Sequence, residues 1–418
     1  MTEPAVVAAE VADALIGGDF AGATKRFGGM LAQALAPEQL ESAWGSAIAE
    51  FGNVKGRGEP SAKEIMGRAA GVVTIAFERE EAELIVALDH DAIVGLNIRP
   101  KRPPVEHPPP RYADGAAFEE RSLTVGSGEL ALPGTLAMPA KKKLFRKGAV
   151  VPGIVCVHGS GPNDRDETVG GNKVFLDIAL GLASRGIAVL RYEKRTRAHP
   201  DKVTPDIGVE EEVLDDALTA VTRLGAVDGV GPVFVLGHSL GGTLAPAIGA
   251  RDPSIAGLVV LAGATRPLGA MVLEQTRHIM TAAGAVDEGA LATLAAQAEI
   301  ADGAHLTPKT PSSSLPLGIP ASYLLSLRAH YPQLHVEGAR QPMLVLQGER
   351  DYQVTMEDFA GWKTMLGARA HVTFKSYPDL NHCFAPGKGV SRPQEYAEPA
   401  NVAEQVIKDI AAWIAALG

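Results

Sequence analysis

Cysteine is nearly absent from this 418-residue chain, which carries only Cys156 and Cys383, and aromatic residues make up 5% of it. Two cysteines do not make the disulfide framework of a secreted domain, so we expect a reducing compartment and a cytoplasmic location. No apolar run is long enough to span a bilayer, and no basic stretch followed by an apolar one begins the chain. We therefore expect neither a membrane partner nor a secretory signal.

Positive charge is also scarce, because 39 lysine and arginine residues face 49 aspartate and glutamate residues. The densest basic run, 141–147, is short and lies between two strand-like segments, which favours a solvated loop. No nucleic-acid partner is expected. The 11 histidines are scattered, with no His-x-x-x-His or Cys-x-x-Cys spacing, so we predict no metal site.

A proline-rich segment divides the chain, since residues 99–110 read RPKRPPVEHPPP. So much proline excludes helix and central strand and favours a stiff, extended linker. We assign an N-terminal domain to 1–99, a linker to 100–112 and a catalytic domain to 113–418.

The N-terminal domain shows helical patterns first and strand patterns after them, which predicts an α+β unit. Helices are predicted over 6–16, 20–27 and 37–51, and strands over 72–78, 82–88 and 92–98. In length and order of elements this unit resembles small nuclear-transport-factor-like or cystatin-like domains. We expect it to serve association, as in a homodimer, or support of a lid.

After the linker, short apolar strands alternate with helical patterns, which is typical of a doubly wound, mostly parallel α/β sheet. The stretch 263–340 interrupts this alternation with helix-like runs and no good strand. An insertion of this size is typical of an active-site lid, and an extra helical layer away from the site is the alternative. The apolar positions expected to line a substrate pocket include Met271, Ile279, Leu324, Leu325 and Leu327.

The pentapeptide 237–241, GHSLG, indicates a class of reaction, catalysis by a serine nucleophile. It lies between a strand-like run and an alanine-rich helix-like run, and a strand, a glycine-flanked serine and a helix form a nucleophile elbow. The turn is so tight that its flanking positions tolerate no side chain. The motif alone also arises by chance, so its weight depends on the residues around it. Ser239 is the predicted nucleophile.

A serine nucleophile needs a base to take its proton and a carboxylate to orient that base. In this fold the chain order is serine, then aspartate or glutamate, then histidine. Asp351 follows the predicted strand 343–346, and His382 follows the predicted strand 372–377. Both should therefore lie at the carboxyl edge of the sheet, where open α/β sheets place their chemistry. Glu349 is the alternative carboxylate.

The tetrahedral intermediate of acyl transfer also needs backbone N–H donors. One is expected from Leu240, at the N-terminus of the helix that follows the serine. The second is expected from the loop after strand 154–157, which reads HGSGP. Ser160 is the predicted donor, with Gly159 and Gly161 as open alternatives.

Residues beside these two turns are the predicted substrate contacts, namely His158, Gly159, Gly161, Arg165 and His238. The run 163–167, NDRDE, is too charged to be core. We interpret it as an ion-paired loop that braces the turn 158–162, which is expected to supply the second oxyanion donor and is called the oxyanion turn below. We expect the same loop to form ion pairs with the charged run 191–195. The alternative is a polar wall for the substrate, through Arg165.

Five strings, VHGSGPNDRDETVGGNK, IAVLRYEKRT, LGHSLGG, LQGERDYQV and YPDLNHCF, resemble the α/β-hydrolase superfamily. They are most similar to bacterial carboxylesterases of the dienelactone-hydrolase-like, peptidase-related branch, from about residue 119 to the C-terminus. The resemblance implies an α/β-hydrolase fold with Ser239 as nucleophile, His382 as general base and Asp351 as its orienting carboxylate. True dienelactone hydrolases carry cysteine at the elbow, so their lactone specificity does not transfer.

We predict a serine hydrolase that cleaves small to medium acyl esters through an acyl-enzyme and needs no cofactor. An acyltransferase, a thioesterase or a lactone-forming or lactone-opening enzyme of a secondary pathway would use the same three residues. A dipeptidyl-type peptidase ranks lower, because the sequence lacks propeller-like repeats. A non-catalytic binding scaffold is disfavoured by the complete set of catalytic candidates.

Overall fold

A computed structural model describes residues 3–28, 31–32, 35–65, 68–101, 106–140, 150–204 and 206–417. The whole basic run 141–147 and part of the proline-rich segment lie outside these ranges. The chain forms two compact units, one of residues 1–105 with 200–202 and one of residues 106–199 with 203–418. The domain bounds assigned from the sequence stay a prediction.

The first unit is an antiparallel sheet with helices before it, in the order that the sequence predicts. Its helices are α1 (Pro4–Ile16), α2 (Phe20–Thr24) and α3 (Pro37–Phe51), and its strands are β1 (Val54–Arg57), β2 (Ser61–Ile65), β3 (Arg68–Phe77), β4 (Glu81–Asp89) and β5 (Ala92–Pro100). The strand order is β1-β3-β4-β5, with β2 also paired to β3. Strands β1 and β2 are absent from the sequence prediction, because they are short and polar and carry little apolar alternation. Pro100 ends β5, an edge strand, where a missing N–H donor is tolerated.

The second unit is built on one eight-stranded sheet in the order β15-β14-β13-β12-β8-β11-β7-β6. Its strands are β6 (Phe118–Val125), β7 (Leu132–Pro139), β8 (Val151–Val157), β11 (Ala188–Tyr192), β12 (Val230–His238), β13 (Gly257–Leu261), β14 (Met343–Gly348) and β15 (Val372–Tyr377), and β9 (Thr168–Val169) with β10 (Asn172–Lys173) forms a separate hairpin. The six strands from β15 to β11 are parallel, and β7 joins β11 in antiparallel register.

Helices cover both faces of this sheet, so its central strands are buried on both sides and read as continuous apolar runs. The helices are α4 (Val174–Ala183), α5 (Arg195–Ala198), α6 (Asp215–Gly225), α7 (Leu240–Arg251), α8 (Leu268–Ala283), α9 (Glu288–Asp302), α10 (Ala321–Arg328), α11 (Pro332–His335), α12 (Met356–Leu366) and α13 (Glu404–Leu417). The α/β-hydrolase fold with a preceding α+β region is confirmed. Strands β8, β12, β14 and β15 all end at one sheet edge, which gathers the predicted site residues there.

The predicted insertion is helical, because helices α8 to α11 fill the fully described stretch between β13 and β14 without a strand. The start of α8 is tied to the end of α9, since the Gly269 and Ala270 N–H groups donate to the Asp302 carboxylate. The insertion also has a small apolar core of its own, made of Ala301, Leu306, Leu315, Ala321 and Leu324.

Part of the segment predicted as a linker packs within the second unit. The imidazole of His107 is buried, with Nε2 2.8 Å from Asp177 Oδ1 and Nδ1 3.0 Å from the Gly171 carbonyl oxygen. The Tyr112 hydroxyl donates to the Val402 carbonyl at 2.7 Å. An extended, proline-rich stretch therefore carries specific polar contacts that its composition does not reveal.

Candidate active site

Ser239 lies at the turn between β12 and α7 with a backbone φ of 53° and ψ of −116°, a region that residues with a Cβ seldom occupy. The neighbouring glycines make this turn sterically feasible. A Cβ on Gly237 would lie 2.1 Å from the Gly241 carbonyl oxygen, and one on Gly241 would lie 2.1 Å from the Val157 carbonyl oxygen. Neither position admits a side chain, as the elbow interpretation requires.

His382 and Asp351 meet in the loops that follow β15 and β14. His382 Nδ1 donates to Asp351 Oδ2 at 2.6 Å, and both side chains are buried. Asp351 Oδ1 accepts from the backbone N–H groups of Gln353 at 2.8 Å and Val354 at 3.0 Å. The bond at Nδ1 fixes the tautomer, which leaves the other ring nitrogen, Nε2, able to accept a proton.

The alternative carboxylate, Glu349, lies elsewhere. Its side chain is exposed and accepts a hydrogen bond from the Ser376 hydroxyl at 2.7 Å. Of the two sequence candidates, only Asp351 contacts His382.

Ser239 and His382 line the same cavity, whose volume is about 600 Å³. The sheet side supplies the turns at 159–161 and 238–240, and the helical insertion supplies most of the apolar surface. The insertion residues that line the cavity are Ala264, Arg266, Leu268, Met271, Val272, Gln275, Leu317, Ile319, Pro320, Tyr323, Leu327 and Tyr331.

The apolar positions predicted for the insertion divide into two groups. Met271 and Leu327 line the cavity. Leu324 is buried in the core of the insertion, Leu325 packs against that core, and Ile279 is 39% exposed. Hydrophobic periodicity identifies the apolar face of a helix but does not say whether that face contacts a cavity, a neighbouring helix or solvent. Only two of the five predicted residues therefore line the cavity.

The Leu240 and Ser160 N–H groups beside Ser239 are available to a ligand, and Gly161 stays an open alternative to Ser160, because its N–H also has no acceptor among the described residues. Leu240 begins α7, and the first N–H groups of a helix have no intrahelical acceptor. The Ser160 N–H has no acceptor among the described residues, and Ser160 lines the cavity. The Gly159 N–H, by contrast, is engaged, because it donates to Glu167 Oε1 at 2.6 Å.

The 159–160 turn contacts the elbow closely, since a Cβ on Gly159 would lie 3.1 Å from that of Ser239. Polar side chains hold this turn from behind. Lys194 Nζ donates to the Gly159 carbonyl at 2.8 Å, and Asn163 Nδ2 donates to the Gly159 and Ser160 carbonyls, both at 3.1 Å. The bracing interpretation of the 163–167 run agrees with these contacts.

Glu167 corrects one expectation, because it lies in the run described as too charged to be core and yet is 1% exposed. Its second oxygen lies 3.0 Å from His238 Nδ1, and His238 Nε2 lies 2.9 Å from the His382 carbonyl oxygen. The carboxylate charge close to Nδ1 and the carbonyl acceptor at Nε2 both favour the protonated imidazole. Burial alone would lower the pKa of His238. The Glu167 carboxylate and the His382 carbonyl raise this pKa by more than burial lowers it, so the net shift is upward.

Two predicted substrate contacts, Arg165 and His158, are absent from the cavity lining, whereas Gly159, Gly161 and His238 are part of it. Arg165 donates to Glu193 at 2.7 Å and to the Thr135 hydroxyl at 2.9 Å, so the predicted charge network with the 191–195 run is present. His158 is buried against Phe175 and Tyr192, and burial lowers its pKa to about 4.

Sequence reasoning missed several polar residues of the cavity wall, among them Glu212, Tyr323 and Gln353. Glu212 and Tyr323 line the cavity and bond each other, with the Tyr323 hydroxyl donating to Glu212 Oε2 at 2.8 Å. Gln353 lines it next to Asp351. Glu212 lies in a π-helical turn, 210–214, and such turns are frequent at functional sites, but nothing in its sequence marks one.

The described ranges show no group of three His, Cys, Asp or Glu residues that could hold a metal ion. Within the same ranges, no helix has both the length and the apolar character needed to cross a membrane. Both cysteines are buried and unpaired.

Comparison with known proteins places this site in a family. The chain is 37% identical over 347 residues to Esterase EstD of Thermotoga maritima, an alignment that covers 82% of this chain and 78% of the relative. Among solved structures, Est1E from Butyrivibrio proteoclasticus matches with a TM-score of 0.45 and 16% identity over 70% of this chain and 99% of its own. A puromycin-hydrolyzing peptidase of Mycobacterium tuberculosis matches with a TM-score of 0.48 and 16% identity over 84% of this chain, which spans only 46% of that peptidase. These two structural likenesses support no functional conclusion.

Residues 154–398, which include the Ser239 turn, the 159–161 turn and the loops that carry Asp351 and His382, match the Alpha/beta hydrolase family. The chain belongs to this family of alpha/beta hydrolases.

Proposed function

We propose that this protein is a serine carboxylesterase that hydrolyses small to medium acyl esters through an acyl-enzyme. The supporting observation is the joint placement of Ser239 and the Asp351-bound His382 on one cavity, with the Ser160 and Leu240 N–H groups beside the serine. This is the donor and acceptor set that acyl transfer needs.

In the proposed mechanism, His382 Nε2 takes the proton of the Ser239 hydroxyl as the oxygen attacks the ester carbonyl. The Leu240 and Ser160 N–H groups donate to the oxyanion of the tetrahedral intermediate, and Asp351 stabilises the imidazolium that forms. His382 then donates its proton to the leaving alcohol, which leaves an acyl-Ser239. Water, deprotonated by His382, then attacks the acyl group, and as the acid leaves, His382 returns the proton to the Ser239 oxygen.

Uncharged substrates fit this cavity best. Its charged lining residues are already paired within the protein, since Glu167 lies against His238, Glu212 lies 3.2 Å from Lys194 Nζ, and Arg266 binds Asp358 at 2.8 Å. A charged acyl or alcohol group entering here would lose hydration without gaining a free partner.

The same acyl-enzyme would pass to an alcohol or amine if water were excluded, as in an acyltransferase or a lactone-forming enzyme. Among the described residues that line the cavity, no contact favours that outcome over hydrolysis. We further propose that the protein works in a reducing compartment such as the cytoplasm, supported by its two unpaired cysteines.

Replacing the nucleophile tests the function. Ser239→Ala should lower kcat for short p-nitrophenyl esters by about 10⁴-fold or more, because only binding and oxyanion interactions remain. Ser254→Ala, which removes a hydroxyl in an exposed turn bonded to Asp252, is the matched control and should retain activity. A Ser239→Ala variant within tenfold of the unmodified protein would refute the proposal.

A further inference from the structure

The peptide bond between Gly159 and Ser160 carries two groups with opposite tasks. Its carbonyl oxygen accepts from Lys194 Nζ at 2.8 Å and from Asn163 Nδ2 at 3.1 Å, and its N–H belongs to Ser160, the donor on the cavity side. In a trans peptide the carbonyl and the N–H point in opposite directions. A group that fixes the carbonyl on the protein side therefore sets the direction of the N–H on the substrate side.

Lys194 is suited to fixing this carbonyl because its ammonium group is buried and has few partners. Its side chain is 2% exposed, and its ammonium group contacts Gly159 O and Glu212 Oε1, which lies 3.2 Å away. A buried ammonium polarises the amide that it bonds, since a low-dielectric surrounding strengthens such interactions. The Ser160 N–H becomes a better donor as a result.

Glu212 holds Lys194 from behind and is itself held by the insertion. Glu212 Oε1 accepts from the Thr196 hydroxyl at 3.2 Å, and Oε2 accepts from the Tyr323 hydroxyl of α10 at 2.8 Å. Burial, together with the Glu212 charge, raises the pKa of Tyr323, so its hydroxyl stays protonated and remains a donor. A continuous polar chain thus runs from a cavity-lining side chain of the insertion to the oxyanion turn.

We propose that Lys194 is a positioning residue that aims the Ser160 N–H at the oxyanion, anchored by Glu212 and Tyr323. This inference rests on the proposed esterase function. Lys194 does not contact the substrate in this proposal. Loss of its side chain should therefore raise the free energy of the transition state and leave substrate binding nearly unchanged.

The variants separate positioning from stability. Lys194→Met keeps the length of the side chain but leaves Glu212 as a buried, poorly paired charge, which destabilises proteins strongly. The double variant Lys194→Met with Glu212→Gln removes both charges and should recover much of that stability. Lys173→Met is the matched control, because Lys173 is a partly exposed lysine paired with Asp166 at 3.1 Å and does not touch the turn.

We expect Lys194→Met and the double variant to lower kcat on a short p-nitrophenyl ester by about a hundredfold, the effect of losing an oxyanion donor. KM should change by less than about threefold, and Lys173→Met should change neither constant beyond that range. Glu212→Gln alone keeps the Lys194–Gly159 bond and should cost less than about tenfold. A double variant that regained the kcat of the unmodified protein along with its thermal stability would overturn the proposal.

The rate at which a fluorophosphonate labels Ser239 gives a second readout, because phosphonylation uses the same oxyanion donors. It should fall in the same variants by a similar factor. Labelling of the unmodified protein without ester turnover would count against the esterase function alone, whereas unchanged labelling in both Lys194 variants would count against the role of Lys194.

Discussion

Asp351 shows how a single carboxylate is prepared for one orientation. One oxygen accepts from the Gln353 and Val354 N–H groups, and the other accepts from His382 Nδ1 and, at 3.3 Å, from the Gln347 amide. Such a set of donors leaves the carboxylate no freedom to rotate. The imidazole that it holds is therefore fixed in both position and tautomer.

Changing this carboxylate should alter the tautomer rather than the fold. In Asp351→Asn, the amide oxygen can still accept from the two backbone N–H groups, but its NH₂ then faces His382 Nδ1. That nitrogen must become the acceptor and Nε2 the protonated one, so kcat should fall by about 10⁴-fold. Glu349→Gln, the matched change on the exposed neighbour, should stay within about threefold. Steady-state kinetics of the two variants decide between them, and a larger loss in Glu349→Gln would contradict our assignment.

The insertion helix α8 presents two different environments within three turns. Met271 is 7% exposed and lines the cavity, whereas Ile279 is 39% exposed and does not. The same helix therefore lines the cavity near its start and lies at the surface near its end.

Shortening the cavity-lining residue should shift the preference for acyl length. Met271→Ala opens space for additional methylene groups, and each buried methylene contributes about 0.8 kcal/mol, or roughly fourfold in kcat/KM. The preferred ester should lengthen by one or two carbons, while Ile279→Ala should keep the original preference. A p-nitrophenyl ester series from acetate to decanoate measures this. An unchanged series in Met271→Ala would place the acyl chain elsewhere.

Sequence patterns brought the candidate site residues together because each of them follows an apolar strand, and parallel strands end at one sheet edge. The same patterns did not predict the buried charged residues that surround this site. Glu167, Lys194 and Glu212 are buried charges, which composition assigns to the surface, and they are buried because partners distant in sequence neutralise them. Pairings across such separations leave no local periodicity in a single sequence.

At the scale of the whole molecule, the described start of the second unit is more firmly held than a proline-rich linker suggests. His107 pairs with Asp177 inside that unit, and Tyr112 bonds Val402. The N-terminal unit remains our proposal for a homodimer contact.

Two truncations separate these contributions. A chain that starts at Glu106 keeps the His107–Asp177 pair, whereas one that starts at Asp114 loses that pair and the Tyr112–Val402 bond, which should lower the free energy of unfolding by about 1–3 kcal/mol. Urea unfolding should show that difference. Size-exclusion chromatography should show loss of association in both, and the longer chain should retain its esterase kcat. A folded chain from Glu106 with unchanged association and no activity would mean that residues 1–105 contribute to the active site.

The two buried cysteines have a practical consequence for reagents. Burial raises the pKa of the Cys156 and Cys383 thiols, so little thiolate is present at neutral pH, although Cys383 directly follows His382. Alkylating agents react with thiolate that they can reach. The folded protein should therefore not react with iodoacetamide or maleimides. A serine-directed label should modify Ser239 without also modifying a cysteine.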